Sequence, residues 1–417
     1  MENKEPIVYD EILEPVAALI QEEAEKIEGD AATYKLSFQP FSLNILFAII
    51  NGIKSVSLLI THIKSSPLAK KMGLIDVSKS MYSEAFIRYE PSVYRRIFYT
   101  LLEKLNFLEI PEIKALGRFF CIDGSVFPAI QTMVWACYKT SANAIKLHLA
   151  FELNRMIPVQ FFSTEANASE RKILLKMLEA GVTYIADRGY VCFQLFHDIC
   201  EKKAHFIIRG KSNILYEISE SLKVDINEKW SSFISDAKDL KVKFKNDKNK
   251  REYRLVSFIA MGECFALITD RFDLKTSEVI ILYAYRWQVE LIFRFLKRTL
   301  NGLHLMSHDP RGIEIQFTLY MIGYLLLLFF KQRGGEVNGI RRDEGDEGNK
   351  GIMTDEEERC SPKESNSLGE YACGLVSLLG EGLQKYWKIG IHWLSTVRNL
   401  LMEPFTPEIR QLIWSEL

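Results

Sequence analysis

Three carboxylates stand out in this 417-residue chain by the residues around them. Asp123 ends the apolar run GRFFCIDGS just before a Gly-Ser turn, and Asp187 ends VTYIAD just before Arg-Gly-Tyr. Each is expected at a strand end, where the rim of a sheet can present a carboxylate into a cleft. The third, Glu290, lies in YAYRWQVELIFRFLK, an apolar segment that also carries Tyr283, Arg286, Arg294 and Lys297. At about 100° per residue, steps of seven return to nearly the same helix face, so Tyr283, Glu290 and Lys297 align, with Arg286 and Arg294 one turn from Glu290 on either side. The chemistry on offer is that of carboxylates and cations turned together towards a cleft or a ligand.

Each signal alone has a plainer reading. A strand-end Asp is commonly a turn former or a helix cap, and a Glu with Arg four residues away on both sides is commonly a solvated ladder worth a few tenths of a kcal/mol. Against the ladder stand Trp287, Ile292, Phe293 and Phe295, which make most of the helix circumference apolar and turn the polar stripe to a cleft.

The elements that must position these groups follow from periodicity. From about residue 8 to 110 apolar residues recur at three and four, as in PFSLNILFAIINGIKSVSLLITHI and SVYRRIFYTLLEKLNFL, which predicts helices. Between those two, DVSKSMYSEAFIRYEPSVYRR suits either a helix-turn-helix-like DNA reader or a small helical bundle with a solvated face. From residue 115 the period shortens: GRFFCIDGS, AIKLHLAFEL and IPVQFFST read as strands, followed by helix SERKILLKMLEAG, strand VTYIAD, helix CFQLFHDICEKK and strand AHFIIR. Strands in a meander and then alternating with helices predict a mixed α/β sheet. KVKFKN, EYRLVSFIAM and CFALITD predict a β-rich insertion before long helices resume at Ser277.

Composition bounds the class. Hydrophobic residues make up 48% of the chain, enough for a sizeable core in two or three domains. The net charge of −1 hides an asymmetry: residues 1–30 carry −8 and residues 333–365 carry −4, which leaves +11 on the rest. Seven cysteines with no CxxC pair and no zinc spacing fit reduced cytosolic thiols. The acidic start MENKEPIVYDEILEP lacks an apolar signal core. Phe317 to Phe330, the most apolar run, is 14 residues long, short of the roughly 20 that span a bilayer, and is expected as a buried core helix. After residue 332 the Gly-, Asp- and Glu-rich stretch cannot bury enough surface to offset its ordering entropy and is expected to be a disordered linker.

The pattern Tyr-x2-Arg-x3-Glu-x6-Lys is met in full by Tyr283, Arg286, Glu290 and Lys297, and it resembles the YREK signature of the insertion-sequence-four family of bacterial DDE transposases. IDGS around Asp123, AIKLHL from Ala144 to Leu149, YIADRGY around Asp187 and FIIRGKSN after it agree with that family, so the resemblance covers about residues 75–330. It implies an RNase H-like mixed-sheet core interrupted by a β-rich insertion, with helical N-terminal and C-terminal regions. The expected divisions are a helical N-terminal region at 1–114, with DNA binding as its role, core at 115–210, insertion at 211–276, core with the Glu helix at 277–332, linker at 333–369 and a C-terminal helical region at 370–417.

The resemblance further implies a catalytic triad of Asp123, Asp187 and Glu290 holding two Mg2+ or Mn2+ ions. Hard oxygen donors suit those cations. It implies DNA contacts by Tyr283, Arg286 and Lys297, joined by Arg188 and Arg209. The partners would be double-stranded DNA, at the element's terminal inverted repeats and at the target, and a second copy of the chain, with no membrane, in a bacterial cytoplasm at the nucleoid. The activity implied is cut-and-paste transposition through a hairpin intermediate. A metal-dependent nuclease of the same fold and a non-catalytic, transposase-derived DNA-binding protein are the alternatives. Trp230 is the insertion aromatic on which a flipped base would stack, or else a buried aromatic. Lys146 and His148 are either part of a functional block or a strand pair with one satisfied His.

Overall fold

The computed structural model describes residues 8–27, 29–129, 133–139, 142–211, 214–226, 234–260, 262–298 and 305–337. Trp230, all of the expected linker beyond residue 337, and the C-terminal region at 370–417 lie outside the described residues. The chain divides into two compact units, which among the described residues comprise 8–107 with 305–337, and 108–298.

The first unit is helical. Its elements are α1 (Val8–Glu25), α2 (Asp30–Thr33), α3 (Phe38–Ile50), α4 (Val56–Ser65), α5 (Pro67–Lys71), α6 (Lys79–Arg88) and α7 (Pro91–Lys104), and a long late helix, Pro310–Val337, that returns to it. Pro91 opens α7 at a position where its missing N–H costs nothing. α3 is buried nearly all round: Phe38, Phe41, Ile45, Leu46, Ala48 and Ile50 have no exposed surface. Its two interior polar residues are satisfied, Ser42 by Tyr94 at 3.0 Å and Asn44 by Tyr82 and the Ile75 carbonyl at 2.6 and 2.9 Å, as a buried polar group requires. The late helix packs against α7, α3, α1 and α6. Its stretch Pro310–Phe330 is apolar and long enough to cross a bilayer, yet its side chains from Ile315 to Leu326 are buried inside this unit. It is thus a core helix, and it runs to Val337, so the first five residues of the expected linker, 333–337, are helical.

The second unit is a mixed α/β sheet. It contains α8 (Pro111–Leu116), β1 (Arg118–Ala129), β2 (Cys137–Lys139), β3 (Ala142–Glu152), β4 (Ile157–Glu165), α9 (Glu170–Met177), β5 (Val182–Ala186), α10 (Phe193–Glu201) and β6 (His205–Arg209). It continues with β7 (Tyr216–Ser221), β8 (Ile234–Phe244), β9 (Glu252–Ala260), β10 (Glu263–Thr269), α11 (Thr276–Ala284) and α12 (Trp287–Arg298), and the late helix of the first unit is α13. β1, β3 and β4 form an antiparallel meander, and β5 and β6 pair parallel beyond β1, so the core order is β4-β3-β1-β5-β6, the RNase H-like arrangement. β5 is buried along its whole length, as expected of a parallel strand covered on both faces.

The segment between β6 and α11 adds four antiparallel strands to the same sheet, because β10 pairs with β6 and the order runs on through β9 and β8 to β7. All six residues of the edge strand β7 are exposed, so no buried face imposes a sustained apolar alternation on its sequence. A buried ion pair anchors this extension to the helix that follows. Arg254 of β9 grips Asp239 of β8 through Nε at 2.9 Å and Nη2 at 2.6 Å. It also donates to the Arg271 and Leu274 carbonyls, and Thr276 at the start of α11 donates to Asp239 at 2.8 Å. Asp239→Ala would leave Arg254, nearly inaccessible to solvent, without its countercharge. A loss of about 3–5 kcal/mol is expected, read as a fall in the urea midpoint of the full chain. A change under about 1 kcal/mol would show the pair to be dispensable.

Candidate active site

The register of the sheet brings two of the carboxylates abreast. β1 and β5 run parallel, with Cys121 opposite Ile185 as the last pair, and Asp123 and Asp187 each lie two residues further on. Asp123 accepts from the N–H of Gly124 at 2.7 Å. Asp187 caps a short 3₁₀ turn, Arg188–Tyr190, by accepting from the N–H of Gly189 at 2.9 Å, and Arg171 of α9 steadies that turn by donating through Nε and Nη2 to the Gly189 carbonyl at 3.1 and 2.9 Å. A side chain at position 189 would press on Asp187, since a Cβ there would lie 3.0 Å from its Oδ1.

The third carboxylate arrives on α12, which lies against β1 and β3. Val289, Ile292, Phe293 and Leu296 bury its apolar side, and Glu290 sits in its first turn. Tyr283 to Lys297 is not one continuous helix. α11 ends at Ala284, and the chain passes through a tighter turn, with Arg286 N–H bonded to the Tyr283 carbonyl at 3.0 Å and Gln288 N–H to the Tyr285 carbonyl at 2.9 Å. No Gly or Pro marks the break. It follows from tertiary packing, α11 lying on β5, β6 and β9 and α12 on β1 and β3. The strict alignment of Tyr283 with Glu290 and Lys297 at steps of seven therefore does not hold across residues 285–286, since i→i+3 bonding turns the chain by more than 100° per residue.

The break places Arg286 between the acids. Its Nη2 donates to Glu290 Oε1 at 2.7 Å, and its Nη1 lies 3.8 Å from Asp123 Oδ2. The guanidinium also stands 5.9 Å from the centre of the Tyr283 ring, which is nearly buried. Burial pushes the Asp123 carboxyl up to about 6. The Gly124 N–H and Arg286 oppose the rise, and the negative charges of Asp187 and Glu290 add to it. Asp123 thus feels both of the other acids, and the structure brings the three together.

Their donor chemistry is of the kind that suits a small divalent cation: three hard carboxylates, with Asp123 half-buried. Among the described residues, however, no three acidic, His or Cys side chains stand close enough to hold an ion as they are. The cation at this place is the guanidinium of Arg286.

The other basic residues are placed unequally. Arg209, at the end of β6, lies 4.2 Å over the Phe265 ring and pairs with Glu263 at 3.2 Å, and its charge reaches Tyr283. Arg188 is exposed on the turn that follows Asp187. Lys297 is exposed on α12, its Nζ 5.2 Å from the Phe127 ring. Arg294 stands 5.7 Å over Trp287. Lys146 pairs with Glu170 at 3.1 Å, and His148, buried beside it, bonds Thr164 at 2.9 Å. Burial, aided by the charge of Lys146, pushes His148 down to about 4, so it is neutral.

Residue-by-residue reading passed over Glu170, Arg171 and Tyr190, which surround the two aspartates. Only Tyr190 had a signal, its place in the YIADRGY block; Glu170 and Arg171 look like any polar pair at a helix start.

Comparison with known proteins agrees with this geometry. The family model described as "Transposase DDE domain" matches residues 114–326, which hold all three carboxylates. "Putative transposase y4zB" of Sinorhizobium fredii is 26% identical over 248 residues, 59% of this chain and 69% of that protein. "Probable transposase for insertion sequence element IS5377" of Geobacillus stearothermophilus is 24% identical over 316 residues, 74% of this chain and 82% of its own. "Putative transposase for insertion sequence element IS4SA" of Synechocystis is 24% identical over 272 residues, covering 60% and 71%. With the match spanning half of its length and Asp123 and Asp187 set just past the last β1–β5 pair of an RNase H-like sheet, the chain belongs to the Transposase DDE domain family.

Proposed function

We propose that the protein is a cut-and-paste DNA transposase of the insertion-sequence-four type, with Asp123, Asp187 and Glu290 as its catalytic residues. The observation that carries this reading is the convergence of the charges of Asp187 and Glu290 on the half-buried Asp123, within the segment that matches the family. The three carboxylates would hold two Mg2+ or Mn2+ ions. Bound, such ions supply activation of the attacking oxygen and stabilisation of the leaving oxygen in an in-line displacement at phosphorus.

The chain's own groups supply the rest. Arg286 exchanges Glu290 for a phosphate beside the scissile bond, which its planar fork can grip bidentately. Lys297, Arg188 and Arg209 add point and fork contacts to the backbone, and Tyr283 forms the wall against which Arg286 is held. Water opens one strand at the element end and leaves a 3′-hydroxyl. That hydroxyl attacks the opposite strand to close a hairpin, a second water reopens it, and the freed 3′ ends attack target DNA. Because an element has two ends, two copies of the chain act together on the terminal inverted repeats, at the nucleoid.

The test is an assay of the purified full chain with labelled element ends, target DNA and Mn2+ or Mg2+. Joined products that disappear in Asp187→Ala are expected. Cleavage without joining would replace this reading by a nuclease of the same fold, and end binding with no chemistry by a DNA-binding protein derived from a transposase.

A further inference from the structure

Residues 245–251 join β8 to β9, and Lys245, Lys248, Lys250 and Arg251 among them are basic and exposed. Lys202 and Lys203, which follow α10, are exposed as well. Among the described residues, none of these six side chains is taken up in an ion pair. The acids beside the turn are already engaged, Glu252 by Lys241 at 2.9 Å and Lys243 at 3.5 Å, and Asp247 by His197 of α10 at 3.0 Å. Asp247 points inward, and its carboxylate also accepts from the N–H groups of Asn249 and Arg251, each at 3.1 Å. It fixes the turn against α10 and leaves the outer face to the cations and two asparagines.

The strand register sets these cations at the end of the sheet away from the carboxylates. Asp187 follows Ala186, which pairs with Ile208, and the next step of the ladder runs from Arg209 through Leu267 to Val256. The turn begins before Glu252, four residues from Val256 in the other direction and three strands across from β5. At about 3.3 Å per residue and 4.8 Å per strand, it lies roughly 20 Å or more from Asp187. Lys202 and Lys203 share that end, because the N–H of Gly181, just before β5, bonds the Lys203 carbonyl at 2.8 Å. Two of the lysines hold backbone conformations that a side chain resists. Lys203, with φ 57°, and Lys250, with φ 48°, are two of the four left-handed non-glycine residues among the described residues. Lys203 ends α10 where glycine is usual, with the Ala204 N–H bonded to the Ile199 carbonyl at 3.1 Å. Strained positions of this kind concentrate at working surfaces.

We propose that this rim, Lys202 and Lys203 with the turn from Lys245 to Arg251, grips the phosphate backbone of double-stranded DNA. Charge complementarity selects the partner. Lysines on flexible stems meet phosphates as point charges and read no base, so the contact adds affinity without sequence preference. The turn offers no apolar side chain to enter a bilayer, which a membrane surface would call for. The distance from the acids excludes the scissile phosphate, so the rim holds duplex that flanks the point of cleavage. That this duplex is an element end rests on the catalytic reading above; the affinity of the rim for DNA does not.

The experiment measures binding of fluorescent duplexes, an element end and an unrelated sequence, to the full chain across a salt series. A variant combining Lys245→Gln, Lys248→Gln, Lys250→Gln and Arg251→Gln is expected to bind both duplexes at least about tenfold more weakly at about 0.15 M salt. Its log–log salt slope should be shallower by about 2–4, since each lost phosphate contact removes about 0.9. A second variant, Lys203→Gly with Lys250→Gly, removes two cations and relaxes two backbones. Its melting temperature is expected to rise by about 1–3 °C while affinity for both duplexes falls about 3–10-fold, an opposition that lysines serving only the fold would not produce. Affinities within twofold of wild type in both variants overturn the rim, as does a loss confined to the element end, which would mean base reading. Binding to phosphatidylglycerol vesicles that the variants lose while keeping duplex affinity would assign the rim to a membrane instead. An unaltered chain that binds no duplex overturns both the rim and the catalytic reading; one that binds duplex and cleaves no element end with Mn2+ overturns the catalytic reading alone.

Discussion

Asp123→Asn is expected to abolish metal-dependent DNA cleavage and at the same time make the fold more stable at neutral pH. The two effects share one cause. The carboxylate is held, mainly by burial, at a pKa of about 6 against an ordinary value of 3.8, so the folded chain resists its ionisation. The unfolded chain loses this proton near pH 3.8 and the folded chain near pH 6, so stability falls as pH rises across that window and the full cost is present above it. At 1.36 kcal/mol per unit, the cost is at most about 3 kcal/mol. Asparagine keeps the acceptor for the Gly124 N–H and never ionises. Thermal melts in chelator should therefore show Asp123→Asn raised above wild type near pH 8 and level with it near pH 4. Cleavage should fall at least about 10³-fold, because stabilisation of the reacting phosphate's charge by the acid-bound ions is worth several kcal/mol. A variant that is destabilised near pH 8 would show that the carboxylate is not strained; one that cleaves within tenfold of wild type would remove Asp123 from the catalytic set.

Arg286→Ala should separate ion binding from chemistry. In the free chain the guanidinium, 15% exposed, holds Glu290 at 2.7 Å and reaches Asp123 at 3.8 Å, so it occupies the electrostatic position that a divalent ion would take. A unit charge about 4 Å away at an effective dielectric of 20 is worth about 4 kcal/mol. Its removal is expected to tighten Mn2+ binding to the DNA-free protein at least about tenfold by calorimetry, even after relaxation of the site absorbs part of that energy. Cleavage should drop about 10²–10³-fold, the usual cost of losing one donor to the reacting phosphate. Arg286→Lys keeps the charge but not the fork and should leave ion affinity near wild type while still slowing cleavage. The corollary is that DNA, by drawing Arg286 off Glu290, promotes ion binding, and by reciprocity ions promote DNA binding. Weaker Mn2+ binding by Arg286→Ala than by wild type would refute this arrangement.

Much of the candidate site was legible in the amino-acid sequence. Asp123 and Asp187 were marked by the apolar runs before them, Glu290 by a polar stripe in apolar surroundings, and all three by ordered blocks that resemble one family; the expected strand end holds for Asp187, whereas β1 continues past Asp123 to Ala129 because its pairing with β3 does. These signals are local, and locality is why they can be read: side-chain period, turn residues and spacing are properties of contiguous chain. The order of strands and helices across residues 115–210 was legible for the same reason.

What needed the third dimension was every relation between distant residues. The stripe from Tyr283 to Lys297 reads as one helix, and only the different docking of α11 and α12 breaks it at Tyr285–Arg286 and turns Arg286 to face Asp123. The β-rich segment reads as an insertion, and only the pairing of β10 with β6 makes it part of the same sheet. Gly124 reads as a turn glycine after Asp123, yet it lies inside β1 opposite His148, where a Cβ would press on Glu170 and Lys146. Residue types and element order thus came from the sequence by itself, because periodicity and turn chemistry act within a few residues. The partner of Arg286, the register that sets Asp123 beside Asp187, and the burial that lifts the Asp123 carboxyl were decided by the tertiary structure, because charge and desolvation depend on distances through space that the linear order leaves open.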